Sequence, residues 1–373
     1  MSEVFILSGR RSAVMPKNGA FSALNLQELA APVIEAALKN AGLEADEVDE
    51  LILSNALGAG GNPARICALA GGLSDLVAGL SIDRQCAGGL DALLIGRALI
   101  ASGEAQVVVA GGVESYSRRP LRARTFSDGR PPETYLRPAF TPWPDSDPDM
   151  NEAAEQVAQS LEISRTAQDL WAGQSHAKAL ARAKHGWPEI VPILGAITDG
   201  FSRNLTPDIL ARAPVLCGSI TAANCAVEAD GAGFVVLASK ELAAKQARSG
   251  HCGPLGPMRI ISGATLGGDP SAPALAPIEA MRRALARACL TIENIHQAEV
   301  MEAYAAQTIA CTSAFGLDPA LVNCGGGGLA RGHPIGASGA ILAVRMFHDL
   351  VQGQGLASIA AAGGLASAVI FAR

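Results

Sequence analysis

Charge is scarce in this chain. Only 17% of its 373 residues are Asp, Glu, Lys or Arg, while 49% are hydrophobic. So little charge excludes a disordered or solvated chain and predicts extensive burial, with an oligomer hiding further surface. There is no basic excess. The formal net charge is −6, which excludes a general nucleic-acid binder. No CxxC pair and no Cys/His ligand spacing occurs among the eight cysteines at 67, 86, 217, 225, 252, 289, 311 and 324. That pattern predicts neither a metal site nor a disulfide framework, and suits reduced, cytoplasmic thiols. The start, Met1-Ser2-Glu3-Val4-Phe5-Ile6-Leu7, has no basic region ahead of an apolar one, so no signal peptide is expected. No apolar run reaches the ~20 residues that a membrane span needs. Tryptophan is rare, and Trp143, Trp171 and Trp187 read as packing residues.

What the chain does have is alternation. Strand-like runs at 4–8, 48–53, 80–83, 106–110 and 235–237 alternate with helical spacing at 26–40, 91–100, 151–160 and 166–185. This predicts an α/β protein with a mostly parallel sheet and helices on its faces. Gly42 reads as a helix C-cap, and Gly111-Gly112 as the close of the strand before it. Residues 116–150, rich in Arg, Pro and Asp, read as an excursion from the core.

Two turns carry chemistry. Arg84-Gln85-Cys86-Ala87-Gly88-Gly89-Leu90 joins a strand to a helix. A helix N-terminus favours a thiolate, so Cys86 reads as a reactive cysteine. Arg331-Gly332-His333-Pro334-Ile335-Gly336-Ala337-Ser338-Gly339 places one histidine at a second helix-opening turn. A lone Cys with a distant His suggests a nucleophile and its base. The chain also repeats itself. Leu38-x-x-Ala41-x-Leu43 resembles Leu285-x-x-Ala288-x-Leu290, and the run 103–112 resembles 355–364. Duplication would set the cysteine turn opposite the turn at 336–340, with both helix N-termini at one cleft.

These residues resemble the thiolase family. Arg84 to Leu90 matches its nucleophile motif, Gly332 to Gly339 its histidine motif, and Glu302-Ala303-Tyr304-Ala305 its Asn-Glu-Ala-Phe-Ala motif. Asn18-Gly19-Ala20-Phe21 and Gly60-Gly61-Asn62-Pro63-Ala64-Arg65 match as well. The resemblance implies two duplicated αβαβα-layered halves with mixed, mostly parallel sheets and an inserted loop domain. Its boundaries would be 1–115 and 216–245 for the first half, 116–215 for the loop domain, and 246–373 for the second half. It implies acyl transfer between coenzyme A and carbon, with acyl-CoA as substrate and no permanently bound cofactor. It further implies homodimers or tetramers, and the short excursion favours the dimer.

By the same resemblance Cys86 takes the acyl group and His333 is its base. Backbone N–H groups of Cys86, Ala362 and Gly363 form an oxyanion hole. Met150, Ala226 and Met301 fall at substrate-binding positions. The sequence departs from the family at three of its positions. The second catalytic cysteine is Ala360, the motif asparagine is Met301, and a coenzyme-A-contacting serine is Ala226. Glu302, Tyr304 and Cys324 are the residues whose chemistry could compensate. The departures imply an acceptor that needs little help losing a proton. An ordinary 3-oxoacyl-CoA thiolase with a substitute acid–base, or a weak acyl-CoA-binding subunit of a larger complex, stays open beside that reading.

Overall fold

The computed structural model describes residues 2–58 and 60–373. Its main sheet path is built from β1 (Val4–Ser12), β2 (Glu50–Ser54), β3 (Leu80–Ile82), β4 (Val107–Glu114), β5 (Ala229–Ser239), β6 (Met258–Gly267), β7 (Ile295–Val300), β8 (Gln354–Ala361) and β9 (Leu365–Ala372). The helices that position the site are α1 (Leu26–Ala41), α2 (Gly88–Ser102), α3 (Met150–Ser160), α4 (Arg165–Ala183), α5 (Ala276–Ala288) and α6 (Ile335–Asp349). Every residue of β4 and β5 is buried, as in strands covered on both faces.

The strands lie in the order β7-β8-β9-β6-β1-β5-β4-β2-β3. Pairing is parallel at the two flanks, β3 with β2, β2 with β4, and β7 with β8. Across the middle, from β4 through β5, β1, β6 and β9 to β8, it is antiparallel. The strand-helix alternation that predicts parallel pairing does not hold there. β8 returns directly into β9 through Ala362-Gly363-Gly364, where φ of 79° and 75° at the two glycines closes a hairpin. The half-sheets meet only over Val4–Ile6, paired with 258–260.

Alternate residues of each strand face different cores, which separates the layers. Leu51, Leu53, Val109 and Val113 pack outward with Leu29 and Ile34 of α1. Ile52, Val108 and Val235 pack inward with Leu90 and Leu93 of α2 and Leu342 and Val344 of α6, and these also meet Ile359 and Val369 of the second half. Leu356 and Ile370 face the far side with Met281 and Leu285 of α5. The two halves therefore share the α2/α6 layer, which packs against strands of both.

The shared layer requires close backbone approach. A Cβ on Gly89 would lie 2.3 Å from the Ala340 nitrogen, and one on Gly339 would lie 2.5 Å from the Leu90 nitrogen. Gly111 and Gly112 lie inside β4 and do not close it. A Cβ on Gly112 would meet the Gly336 carbonyl oxygen at 2.1 Å, so the glycine admits α6 against the sheet. Of the three tryptophans, Trp187 is buried beside the guanidinium groups of Arg11, Arg182 and Arg345. Trp143 is 63% exposed and packs no core.

Candidate active site

Cys86 and His333 stand at matching points, 247 positions apart. Each lies two residues before a helix of 15 residues, α2 and α6. The cysteine turn is held open by Gln85, a non-glycine residue at φ 48° whose backbone N–H donates to Asp83 at 2.8 Å. The histidine turn is pinned by its own N–H, which donates to the Val227 carbonyl at 2.9 Å.

Nε2 of His333 lies 3.1 Å from Sγ of Cys86, and Nδ1 lies 2.7 Å from Oγ of Ser338. The Ser338 hydroxyl donates to the Pro334 carbonyl at 3.1 Å. Its single proton is thereby used, so Ser338 accepts from Nδ1–H and the Nε2 lone pair is left for the thiol. Burial pushes the Cys86 thiol up to about 12. The N–H groups of Cys86 and Ala362 oppose that shift without overcoming it. Burial also pushes the His333 imidazole down to about 4. Both shifts favour a neutral thiol beside a neutral imidazole, against the pull of the helix terminus toward a thiolate.

The pair opens into a cavity of about 320 Å³. Tyr304, Met150, Ala226, Ala360 and Ala362 line it together with Cys86 and His333. The Tyr304 hydroxyl donates to Oδ1 of Asn151 at 3.0 Å. Four other residues picked out in the sequence lie off its walls. Glu302 is buried and accepts from Trp171 Nε1 at 3.1 Å, Ser175 Oγ at 2.7 Å, Asn323 Nδ2 at 2.8 Å and the Leu329 N–H at 3.2 Å. That pattern ties α4 to the second half and leaves no oxygen free for a substrate. Met301 is buried in the shared core. Cys324 is exposed, with its thiol directed at the Ala320 carbonyl. Gly363 stands in the hairpin turn, facing the Phe140 carbonyl.

Three groups at the site carry no sequence signal of their own. Tyr116 and Glu228 line the cavity. Glu114 lies beneath it, accepting from the N–H groups of Ala56 at 2.9 Å and Gly336 at 3.0 Å and from Asn55 Nδ2 at 2.6 Å. It thereby fixes the first turn of α6 to the sheet, although burial raises its carboxyl to about 7. A second recess, of about 330 Å³, is lined by Arg203, Arg212, Ala222 and Ala223, in the chain segment just before Ala226. Among the described residues no three His, Cys, Asp or Glu side chains are grouped to hold a metal. No helix of the described residues is long and apolar enough to cross a membrane.

The family model for the thiolase N-terminal domain matches residues 4–241, and that for the thiolase C-terminal domain matches residues 256–373. A putative acetyl-CoA C-acetyltransferase VraB of Staphylococcus aureus (strain MSSA476) is 35% identical over 386 residues, covering 100% of both chains. The solved Bacillus anthracis acetyl-CoA acetyltransferase matches with a TM-score of 0.91 at 33% identity, over 100% of this chain and 99% of that one. The Acat5 thiolase of Ascaris suum, solved in complex with coenzyme A, matches with a TM-score of 0.90 at 29% identity, over 100% of both.

Proposed function

This chain belongs to the thiolase family, and on that premise we propose an acyltransferase that forms an acyl thioester on Cys86 with His333 as base. The observation that carries the reading is the 3.1 Å contact of Nε2 with Sγ, with the tautomer set by Ser338. A neutral thiol of raised pKa is a weak nucleophile and needs its proton removed as it attacks. Sγ bonds to the thioester carbon of acyl-CoA while its proton passes to Nε2. Negative charge gathers on the carbonyl oxygen, toward the N–H groups of Cys86 and Ala362. The carbon–sulfur bond to coenzyme A then breaks, and the leaving sulfur takes the proton from the imidazolium.

The second half-reaction lacks the usual proton carrier, because a methyl group stands at Ala360 on the cavity wall. This favours an acceptor that needs little deprotonation: an acidic carbon, a decarboxylating donor or a thiol. Met150 and Ala226 would line the way for the pantetheine arm. Arg203 and Arg212 would meet the phosphates of coenzyme A, the ligand present in the Ascaris thiolase complex. The chain also suits self-association. β3 ends the sheet path, its first residue Leu80 is exposed, and so is Leu76 just before it in the chain, which fits a homodimer.

Isotope exchange tests the first half-reaction. Labelled coenzyme A should enter the acyl-CoA pool in the presence of the protein and not in the presence of Cys86→Ala. Exchange at equal rates with both proteins would refute the reading.

A further inference from the structure

The two N–H groups that face the Cys86 sulfur come from different halves of the chain. One is that of Cys86, on the turn before α2, and the other is that of Ala362, in the hairpin between β8 and β9. An oxyanion hole demands donors about 2.7–3.1 Å from the developing charge, held to within about 0.5 Å. The packing of α2 on the second half is mostly apolar, and apolar contacts are non-directional. They do not by themselves fix a spacing that closely.

Asp91 lies where the halves join. It stands in the first turn of α2, where an acidic side chain ordinarily answers the helix dipole. Here the side chain is only 4% exposed. Oδ1 accepts from Oγ1 of Thr265 on β6 and from Oγ of Ser367 on β9, each at 2.5 Å. Those two residues are register partners, and their hydroxyls lie 3.0 Å apart. Ser367 also stands opposite Ile359 of β8, on the strands that the Ala362 hairpin joins. On the other side, Nε of Arg84, two residues before Cys86, lies 3.1 Å from Oδ2. That contact is ionic and not an aligned hydrogen bond, since Oδ2 has no hydrogen-bond donor. One carboxylate therefore touches both the cysteine turn and the strand that leaves the hairpin. Among the described residues, the other polar side chain of α2 that reaches the second half is Arg97, further along, which donates to the Ile261 carbonyl at 3.1 Å. For stability alone, an apolar side chain of similar volume would serve as well as a buried charge.

We propose that Asp91 is a positioning residue for acylation. Through Arg84 on one side and Thr265 and Ser367 on the other, it holds the N–H groups of Cys86 and Ala362 at the spacing the tetrahedral oxygen requires. It does not line the cavity. The inference rests on the acyl-enzyme reading above.

Two reactions of Cys86 separate this role from a merely structural one. Acylation by acetyl-CoA gathers negative charge on a carbonyl oxygen. Alkylation by iodoacetamide does not, because Sγ bonds to a saturated carbon, iodide leaves, and the thiol proton passes to His333. Intact mass follows both. Asp91→Ala should slow acetylation about ten- to a hundredfold at saturating acetyl-CoA, with the half-saturating concentration and the alkylation rate within about twofold of wild type. Asp91→Asn keeps an acceptor for both hydroxyls and should acetylate faster than Asp91→Ala. Ser367→Ala leaves the carboxylate its Thr265 and Arg84 contacts. It should show the same divergence in weaker form, and it serves if Asp91→Ala does not fold. Equal loss of both reactions, no loss of acetylation, a loss confined to the half-saturating concentration, or an Asn variant as slow as the Ala variant would each overturn the proposal. Wild-type protein that is alkylated at Cys86 but not acetylated there would instead defeat the acyl-enzyme reading, and the proposal with it.

Discussion

The imidazole of His333 is aimed at the Cys86 sulfur by a hydroxyl on its far side. Ser338 lies 2.7 Å from Nδ1 and donates its own hydrogen bond to the Pro334 carbonyl. It touches neither the thiol nor the cavity, yet it decides which ring nitrogen is bare. Ser338→Ala frees the ring to hold its proton on either nitrogen and removes the anchor for its orientation. Acylation of Cys86 should fall roughly ten- to a hundredfold, short of the loss recorded for a wholly wrong tautomer. Ser338→Thr, which keeps the hydroxyl, should recover most of it. Stopped-flow release of coenzyme A measures both.

The acylation rate should have an unusually acidic limb. The base is neutral imidazole, and burial sets its protonation at about 4 rather than 6.5. The rate should hold from neutrality to about pH 5 and be half lost near pH 4. A half-loss near 6.5 would mean that the pair is solvated and not sealed. Stability follows the same group. Between 6.5 and about 4 the unfolded chain binds the proton and the folded chain does not. The contribution of His333 is therefore present above 6.5 and lost as pH falls through that window. Melting temperatures of wild type and His333→Asn across it should converge toward acid pH.

Ala360→Cys places a thiol back on the cavity wall. A positioned acid–base group is worth ~10²–10⁴ in rate, so the variant should gain coenzyme-A-dependent cleavage of a 3-oxoacyl-CoA by a factor in that range. No gain would mean that proton transfer at this wall is not what the chain lacks.

Glu302 tests structure against chemistry. Glu302→Ala strips four donors of their acceptor and should cost about 3–5 kcal/mol in denaturant unfolding. Glu302→Gln keeps acceptor oxygens and should cost less. Cys86 acylation in the folded fraction should survive both changes.

The meeting of the two turns was readable because both depend on local sequence. Glycines admit the close approach of α2 and α6, and Cys86 and His333 lie beside them in contact. The repeat was readable for the same reason, since α2 and α6 are of equal length and begin as far apart as Cys86 and His333. Tyr116 was not readable. It follows a buried strand, and only the folded return of β5 brings Asp230 to its flanking serines. Glu302 stayed open between a structural and a chemical role because a carboxylate in a motif looks the same in sequence whether its oxygens face substrate or four buried donors. The antiparallel centre of the sheet was hidden because a strand run records burial but not the direction from which the chain arrives. The helix terminus that favours a thiolate can be read from sequence, and the desolvation that opposes it at Cys86 cannot.

Peptide mapping of the protein after brief incubation with acetyl-CoA tests the central claim most directly. One acetyl group should be found on the peptide containing Cys86, absent in Cys86→Ala and formed far more slowly in His333→Ala. No adduct, an adduct on another cysteine, or one that forms equally fast without His333 would contradict the account.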